Sequence, residues 1–251
     1  MTPRSVLSAL RRQTLCSLYA RTVPWGNRGP VASFSFDDFP HTAYSVGGAI
    51  LKGLGVRGTY YAAAGLMGTA NNLGEQFCPE DIHGLLRDGH ELASHTFSHI
   101  SCRAVSSAIY RDDVNRGRKA IQEITGMADS GNFAYPYGEV SIRAKRTLGP
   151  KLCSSRSIFP GLNGPDVDLN LLRANSLYGN LDQLEKAQEL ILENEKQKAW
   201  LIFYSHDVRP NPSQYGCTSS LLESTVSYAL KQGCRILTVK DVLAELGVRC
   251  A

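Results

Sequence analysis

The sequence predicts an α/β fold, a parallel sheet with helices outside it, closed into a single barrel. Three observations carry that reading. Strand-like and helix-like segments alternate for about eight units along the chain. A length of 251 residues favours one closed barrel. The polar clusters fall at the C-terminal ends of predicted strands, where such folds keep their chemistry. An open doubly wound sheet is the alternative, but the chain has no G-x-G-x-x-G and no P-loop.

The elements follow in order. Val31–Phe36 is an apolar strand, and Thr42–Leu54 is a helix closing at Gly53 or Gly55. Gly58–Ala64, rich in Thr and Tyr, is a strand. Pro79–Arg87 is a helix with Pro at its start and Gly89 beyond its end. Glu91–Ser94 leads into a histidine cluster. Val105–Thr125 is the longest helix, with Ile109, Val114, Ile121 and Ile124 as its buried stripe and Gly126 as the stop. Asn132–Tyr137 is a short strand and Ser141–Leu148 a helix. Leu152–Ile158 and Leu171–Leu177 are strands flanking a Gly/Pro/Asn-rich loop over residues 159–170. After the helix Leu181–Gln197, Trp200–Ser205 is an apolar run suited to a buried parallel strand. Ser219–Lys231 is helical, Arg235–Val239 a strand and Lys240–Leu246 a final helix.

Composition is that of a soluble globular protein, 43% apolar and 20% charged. The net charge of +4 is uneven: residues 1–30 hold five arginines and no acid, so the remainder carries −1. A near-neutral body without a recognisable motif argues against a nucleic-acid partner. No apolar run reaches the roughly 20 residues that span a bilayer. Residues 1–29 are read as a basic leader, helical, with Val6, Leu7, Leu10, Leu15, Leu18 and Tyr19 available for one side. Such a leader packs on the domain of residues 30–251 or rests on an anionic membrane surface. Arg11, Arg12 and Gln13 break its apolar stretch, which argues against a secretory signal. The expected location is therefore cytoplasmic, with peripheral membrane contact or export as the other outcomes. Seven scattered cysteines without a C-x-x-C pair read as reduced, small hydrophobes, with one disulfide reserved for an exported form.

The chemistry concentrates in three places. Asp37-Asp38 follows the first strand, and adjacent carboxylates are costly to desolvate without a cation. His95 and His99, four residues apart on an expected helical turn after another strand, would point the same way and can share one ion, with Thr96 and Ser98 orienting the turn. One carboxylate and two imidazoles make a three-ligand set with open positions, suited to Zn2+ and a bound water. A non-haem iron oxygenase uses the same ligand types. His206, at the end of the Trp200–Ser205 strand, tilts the choice towards amide hydrolysis, which needs an acid for the leaving group. His83 and His90 are read as surface residues, His41 as a neighbour of the site, and Trp25 and Trp200 as packing.

Four ordered motifs, spanning roughly residues 30–247, resemble the polysaccharide deacetylases, carbohydrate esterases of family 4 with a NodB-homology domain. Ser35-Phe36-Asp37-Asp38-Phe39 is similar to T-F-D-D-G, and His95-Thr96-Phe97-Ser98-His99 to H-[ST]-x-x-H. Ala134-Tyr135-Pro136-Tyr137-Gly138 is similar to R-x-P-Y-G, and Leu201–His206 to the apolar strand ending in His. The resemblance implies a single-domain, deformed TIM-like barrel of seven or eight units and metal-dependent removal of an acetyl or other short acyl group from an N-acylated amino sugar. It implies Asp38, His95 and His99 as metal ligands, Asp37 as general base, His206 as general acid and the Tyr137 N–H as an oxyanion donor. Zn2+ is the expected ion, with Co2+, Ni2+ or Mn2+ as substitutes. A glycan, oligosaccharide or lipid-linked sugar is the expected partner.

Four departures stand out. Ala134 occupies the position of the arginine that pairs with the base, and Arg173 is the expected replacement. The acidic residue of a further motif is not identifiable, with Asp166 and Asp168 as its only candidates. Phe39 stands at the Gly position, expected to narrow the mouth, and Tyr204 at a Leu position in the acyl pocket. Phe39, Pro136, Arg173 and Tyr204 are thus the expected substrate-binding residues. A non-sugar amidohydrolase and a catalytically silent glycan-binding relative are the competing functions.

Overall fold

The protein is described by a computed structural model covering residues 15–128 and 130–248. Strand β1 (Thr22–Pro24) precedes β2 (Val31–Asp38), which leads into a π-helical turn, Ala43–Gly48, and helix α1 (Ala49–Gly53). Strand β3 (Thr59–Ala62) is followed by a small hairpin, β4 (Ala70–Asn71) and β5 (Gly74–Glu75). Then come α2 (Pro79–Arg87), β6 (Glu91–Ser94), α3 (Ser107–Thr125), β7 (Asn132–Ala134), α4 (Ile142–Leu148) and β8 (Ser154–Arg156). Next are β9 (Asp166–Asp168), β10 (Asn175–Ser176), α5 (Leu184–Gln197) and β11 (Trp200–Ser205). Helix α6 (Ser219–Lys231), β12 (Arg235–Ile236) and α7 (Val239–Glu245) close the described chain.

The main sheet is wholly parallel, in the order β10-β11-β2-β3-β6-β7-β8, with β12 also on β2. It curls until its edges nearly meet. There the pairing thins to one bridge, Arg156 to Leu172, supported by Leu172 N–H donating to Ser155 and Ser157 N–H to Leu172. The segment after residue 172 then crosses to β11 as β10, so closure is irregular. This is the deformed barrel expected. The predicted strand over 171–177 is reduced to a two-residue ladder because its first half serves one edge and its second half the other.

Alternation along the strands decides which side chains enter the barrel. In β2, Phe34 and Phe36 pack outward among α1 and α6, while Ser33, Ser35 and Asp37 point inward. In β11, Trp200, Ile202 and Tyr204 lie opposite Val31, Ser33 and Ser35. Large side chains thus meet small ones, and Trp200 Nε1–H donates to Ser33 Oγ. At the N-terminal end the interior is polar: Thr59 and Asn132 donate to Glu91, and Ser154 donates to Asn132. Burial raises the Glu91 carboxyl pKa.

Helix ends follow local chemistry. Ser106, Thr218 and Thr238 cap α3, α6 and α7 by accepting from the N–H three residues on. In α3 the buried face is Tyr110, Val114, Gly117 and Ile121, whereas Ile109 is exposed, so the expected stripe is shifted by one residue at its start. His90, expected at the surface, is buried and accepts from Gly58 N–H through Nδ1.

Residues 1–14 of the basic leader lie outside the described residues. From Leu15 onward the segment packs on the barrel. Leu15 is buried, its carbonyl accepts from Lys145, β1 pairs with β9, and Trp25 stacks on Trp200. Among the described cysteines, Cys153 is disulfide-bonded, which is the single-disulfide alternative rather than the reduced set, and the others are free thiols. No helix among the described residues is long and apolar enough to cross a membrane.

Candidate active site

Strand ends assemble the site. Asp37 and Asp38 end β2, His95 and His99 follow β6, the Pro136–Gly138 turn follows β7, and His206 follows β11. Their side chains line one cleft of about 480 Å³, apart from Pro136, which is buried beside it.

The two aspartates part company because neighbours in a strand face opposite ways unless the backbone turns. Asp38 takes φ +62 and turns its carboxylate to the imidazoles. Its Oδ1 lies 3.0 Å from His99 Nε2 and 3.4 Å from His95 Nε2. His95 Nδ1 lies 2.8 Å from the Ala134 carbonyl, an N–H donation that leaves Nε2 as the lone-pair nitrogen facing Asp38.

The ligand atoms of Asp38, His95 and His99 all lie within 4.8 Å of one another. Asp38 Oδ1 is buried with no hydrogen-bond partner among the described residues. A buried, orphaned carboxylate oxygen between two imidazole nitrogens fits a divalent ion with nitrogen and oxygen ligands.

Asp37 serves a different partner. It is buried and ion-paired with the Arg156 guanidinium from β8, on the far side of the curl. Arg156 is 1% exposed and lies over the Tyr61 and Tyr204 rings, with its carbon 4.9 and 5.0 Å from their centroids. Burial opposes its charge, but Asp37 outweighs that and raises the guanidinium pKa.

Arg173 does not take this place. Its side chain donates to the Pro160 carbonyl, 3.0 Å away, and lies outside the cleft. Arg156 lies in Leu152–Ile158, which the sequence marks only as a strand. The signal there is a lone charged residue inside a predicted strand, and once that strand is buried the charge needs an interior partner.

Phe39 also departs from expectation. It has φ +67, the left-handed region for which glycine is suited, but its ring faces the core rather than the mouth. There it stacks on Phe77 at 4.8 Å and packs on Tyr60. Tyr204 does line the cleft, and Tyr178 lies beside it at 5.5 Å between centroids. Tyr137, with φ +58, packs on His99 at 4.5 Å and is 62% exposed. Of the seven described non-glycine residues with positive φ, Asp38, Phe39, Thr96, His99 and Tyr137 cluster here, as strain does at functional sites.

His206 is held by the loop opposite it. Its Nδ1 lies 3.1 Å from the Tyr215 carbonyl, which also accepts from the His206 backbone N–H. An Nδ1–H donor here leaves Nε2 as the free ring nitrogen. Asp207 anchors that loop from within: it is fully buried, accepts from Ser213 N–H and Oγ–H, and pairs with Arg209. A backbone carbonyl thus orients His206. Asp166 and Asp168 lie elsewhere, in β9 against β1, where Asp168 pairs with Lys145. His41 pairs with Asp81 outside the cleft.

Residues 26–149, about half of the chain, match the family model described as polysaccharide deacetylase. The chain belongs to the polysaccharide deacetylase family. The matched span holds the aspartate pair, the histidine pair and the Pro136–Gly138 turn. Arg156 and His206 lie beyond it and reach the site through the fold.

The deacetylase barrel is also that of solved structures. The chitin deacetylase of the fungal pathogen Colletotrichum lindemuthianum is 21% identical, with a TM-score of 0.62 over 86% of this chain and 88% of that one. PdaA of Bacillus subtilis, a family 4 carbohydrate esterase, is 15% identical, with a TM-score of 0.59 over 93% and 89%. The peptidoglycan N-acetylglucosamine deacetylase Bc1960 is 15% identical, with a TM-score of 0.59 over 96% and 97%. At these identities the likeness is one of fold. No curated protein sequence matches the chain.

Proposed function

We propose that this deacetylase is a metal-dependent hydrolase that removes an acetyl or other short acyl group from an N-acylated amino sugar in a glycan. The observation that carries the reading is the division of labour between Asp37 and Asp38. Asp38 faces two imidazoles, Asp37 faces a guanidinium, and His206 lines the same cleft. Exposed Tyr137 and half-exposed Tyr215 flank the opening, and aromatic faces of this kind pack on sugar rings.

Asp38, His95 and His99 would hold a divalent ion, Zn2+ by the chemistry of the donors. When bound, such an ion polarises a carbonyl and acidifies water. Asp37, oriented by its ion pair with Arg156, takes the proton of the attacking water. The Tyr137 N–H is the donor assigned to the oxyanion at the developing tetrahedral centre. His206, oriented by the Tyr215 carbonyl, gives its Nε2 proton to the departing amine. The products are a carboxylate and a free amino sugar.

The test is metal analysis joined to acetate release from chito-oligosaccharides. The wild type should hold about one ion per chain and release acetate, while Asp37→Ala and His206→Ala keep the ion and lose at least about 10²-fold in kcat. An ion-loaded wild type inactive on every N-acyl sugar, but active on small amides, would move the assignment to a non-sugar amidohydrolase.

A further inference from the structure

The turn that carries His95 and His99 cannot hold its own shape. The two histidines are four residues apart, but the turn between them is not helical: Thr96 has φ +66 and His99 φ +51. Left-handed backbone is strained for an L-residue, and such residues persist only where their surroundings over-determine them. The hydroxyl of Thr96 adds nothing, because its buried Oγ1 has no partner among the described residues.

Helix α3 supplies what the turn lacks. Asp113 Oδ2 accepts from Phe97 N–H at 3.0 Å and Ser98 N–H at 2.9 Å, and its Oδ1 accepts from Ser98 Oγ at 2.8 Å. All three donors lie between the two histidines. Arg116 and Gly117, three and four residues on, share its helix face. The Arg116 guanidinium lies 3.6 Å above the Phe97 ring. A Cβ on Gly117 would stand 2.5 Å from the Thr96 carbonyl oxygen, so the helix backbone presses on the turn itself.

We propose that Asp113 is a positioning residue that sets the affinity of the Asp38–His95–His99 triad for a divalent ion; this rests on the metal-dependent reading above. By fixing the two peptide units between the imidazoles, it prepays the ordering that ion binding would otherwise require. It touches none of the reacting groups, and nothing in the motif spacing points to it.

The test is Zn2+ affinity of the full chain, measured by chelator competition, with the Co2+ absorption spectrum as a report on ligand geometry. Asp113→Ala is expected to weaken Zn2+ about 10–100-fold and to shift the Co2+ bands. Asp113→Asn, which keeps one acceptor, should fall between it and wild type. Ser98→Ala, which removes one of the three hydrogen bonds, should weaken binding a few-fold, by about 0.5–1.5 kcal/mol. Asp112→Ala removes the neighbouring exposed carboxylate and should leave affinity unchanged. Wild-type affinity and spectrum in Asp113→Asn and Ser98→Ala, with Asp113→Ala alike or unfolded, overturn the inference alone. Equal losses in Asp112→Ala also overturn it, since they point to bulk charge. A wild type that takes up no divalent ion overturns the metal reading with it.

Discussion

Ala134 and Arg156 are register partners on adjacent parallel strands, and both point into the barrel. The arginine that the motif lacks at Ala134 stands on the next strand at the same height. The small Ala134 side chain leaves the interior open beside Tyr61, and the Arg156 guanidinium crosses that space to Asp37. The pair is kept while its carrier changes.

Arg156→Ala should therefore lower kcat by about 10²-fold or more without changing bound metal, the size expected if the base proposed at Asp37 loses its orientation. It should also destabilise the fold by roughly 3–5 kcal/mol, because Asp37 is left buried and uncompensated. The double variant Ala134→Arg/Arg156→Ala should recover part of both losses. Steady-state kinetics, metal content and urea denaturation check all three. Recovery of stability without activity would show that the guanidinium must approach Asp37 from β8.

Ion removal should act through the triad alone. Zn2+ should raise the Tm of the chelator-stripped wild type, since a ligand that binds only the native state stabilises it. The shift should vanish in His95→Ala and His99→Ala and persist in Asp37→Asn. Thermal denaturation with and without Zn2+ measures this directly.

Phe39 exchanges backbone strain for aromatic packing. Phe39→Ala should destabilise by about 3–5 kcal/mol, as for other fully buried rings. Phe39→Gly relieves the left-handed φ and should cost roughly 1 kcal/mol less than Phe39→Ala. Urea denaturation of both variants tests the order, and catalytic turnover per folded molecule should stay close to wild type, since the ring does not line the cleft.

His90 should make stability depend on pH. Burial pushes its imidazole down to about 4 from 6.5. Between those values the unfolded chain binds a proton that the folded chain refuses, so this contribution is complete above pH 6.5 and lost as pH falls towards 4. In His90→Asn the side-chain oxygen can still accept from Gly58 N–H, and the slope of unfolding free energy between pH 4.5 and 7 should flatten.

Tyr204 and Ile158 line the catalytic cleft on one side and a second cavity of about 650 Å³ on the other, near the seam between β8 and β10. Tyr204→Ala should join the two spaces. The ratio of kcat/KM for N-butyryl over N-acetyl glucosamine oligomers should then rise at least about tenfold, the scale of discrimination by added methylenes in a pocket.

Much of this protein is legible in the linear chain because its chemistry sits at strand ends. An apolar run followed by Asp37-Asp38, another by His95 and His99 and a third by His206 mark both the strands and the rim of the site. Alternating β and α periodicity is a local property, and so are caps such as Ser106, Thr218 and Thr238. The sequence by itself therefore determined the parallel barrel and the five polar residues facing the cleft.

Only the tertiary structure decided what holds those residues. Arg156 lies 119 positions from Asp37 and four strands away across the sheet, and the curl alone brings them together. Asp113 reaches the histidine turn because one face of α3 packs against it. The direction of the Phe39 ring followed from a left-handed φ, and the orientation of His206 from a loop carbonyl. Each depends on where a side chain points after the barrel closes. Residue type and spacing carry no such information: strand periodicity says which side chains turn inward, whereas the curvature of the closed sheet says which of them meet.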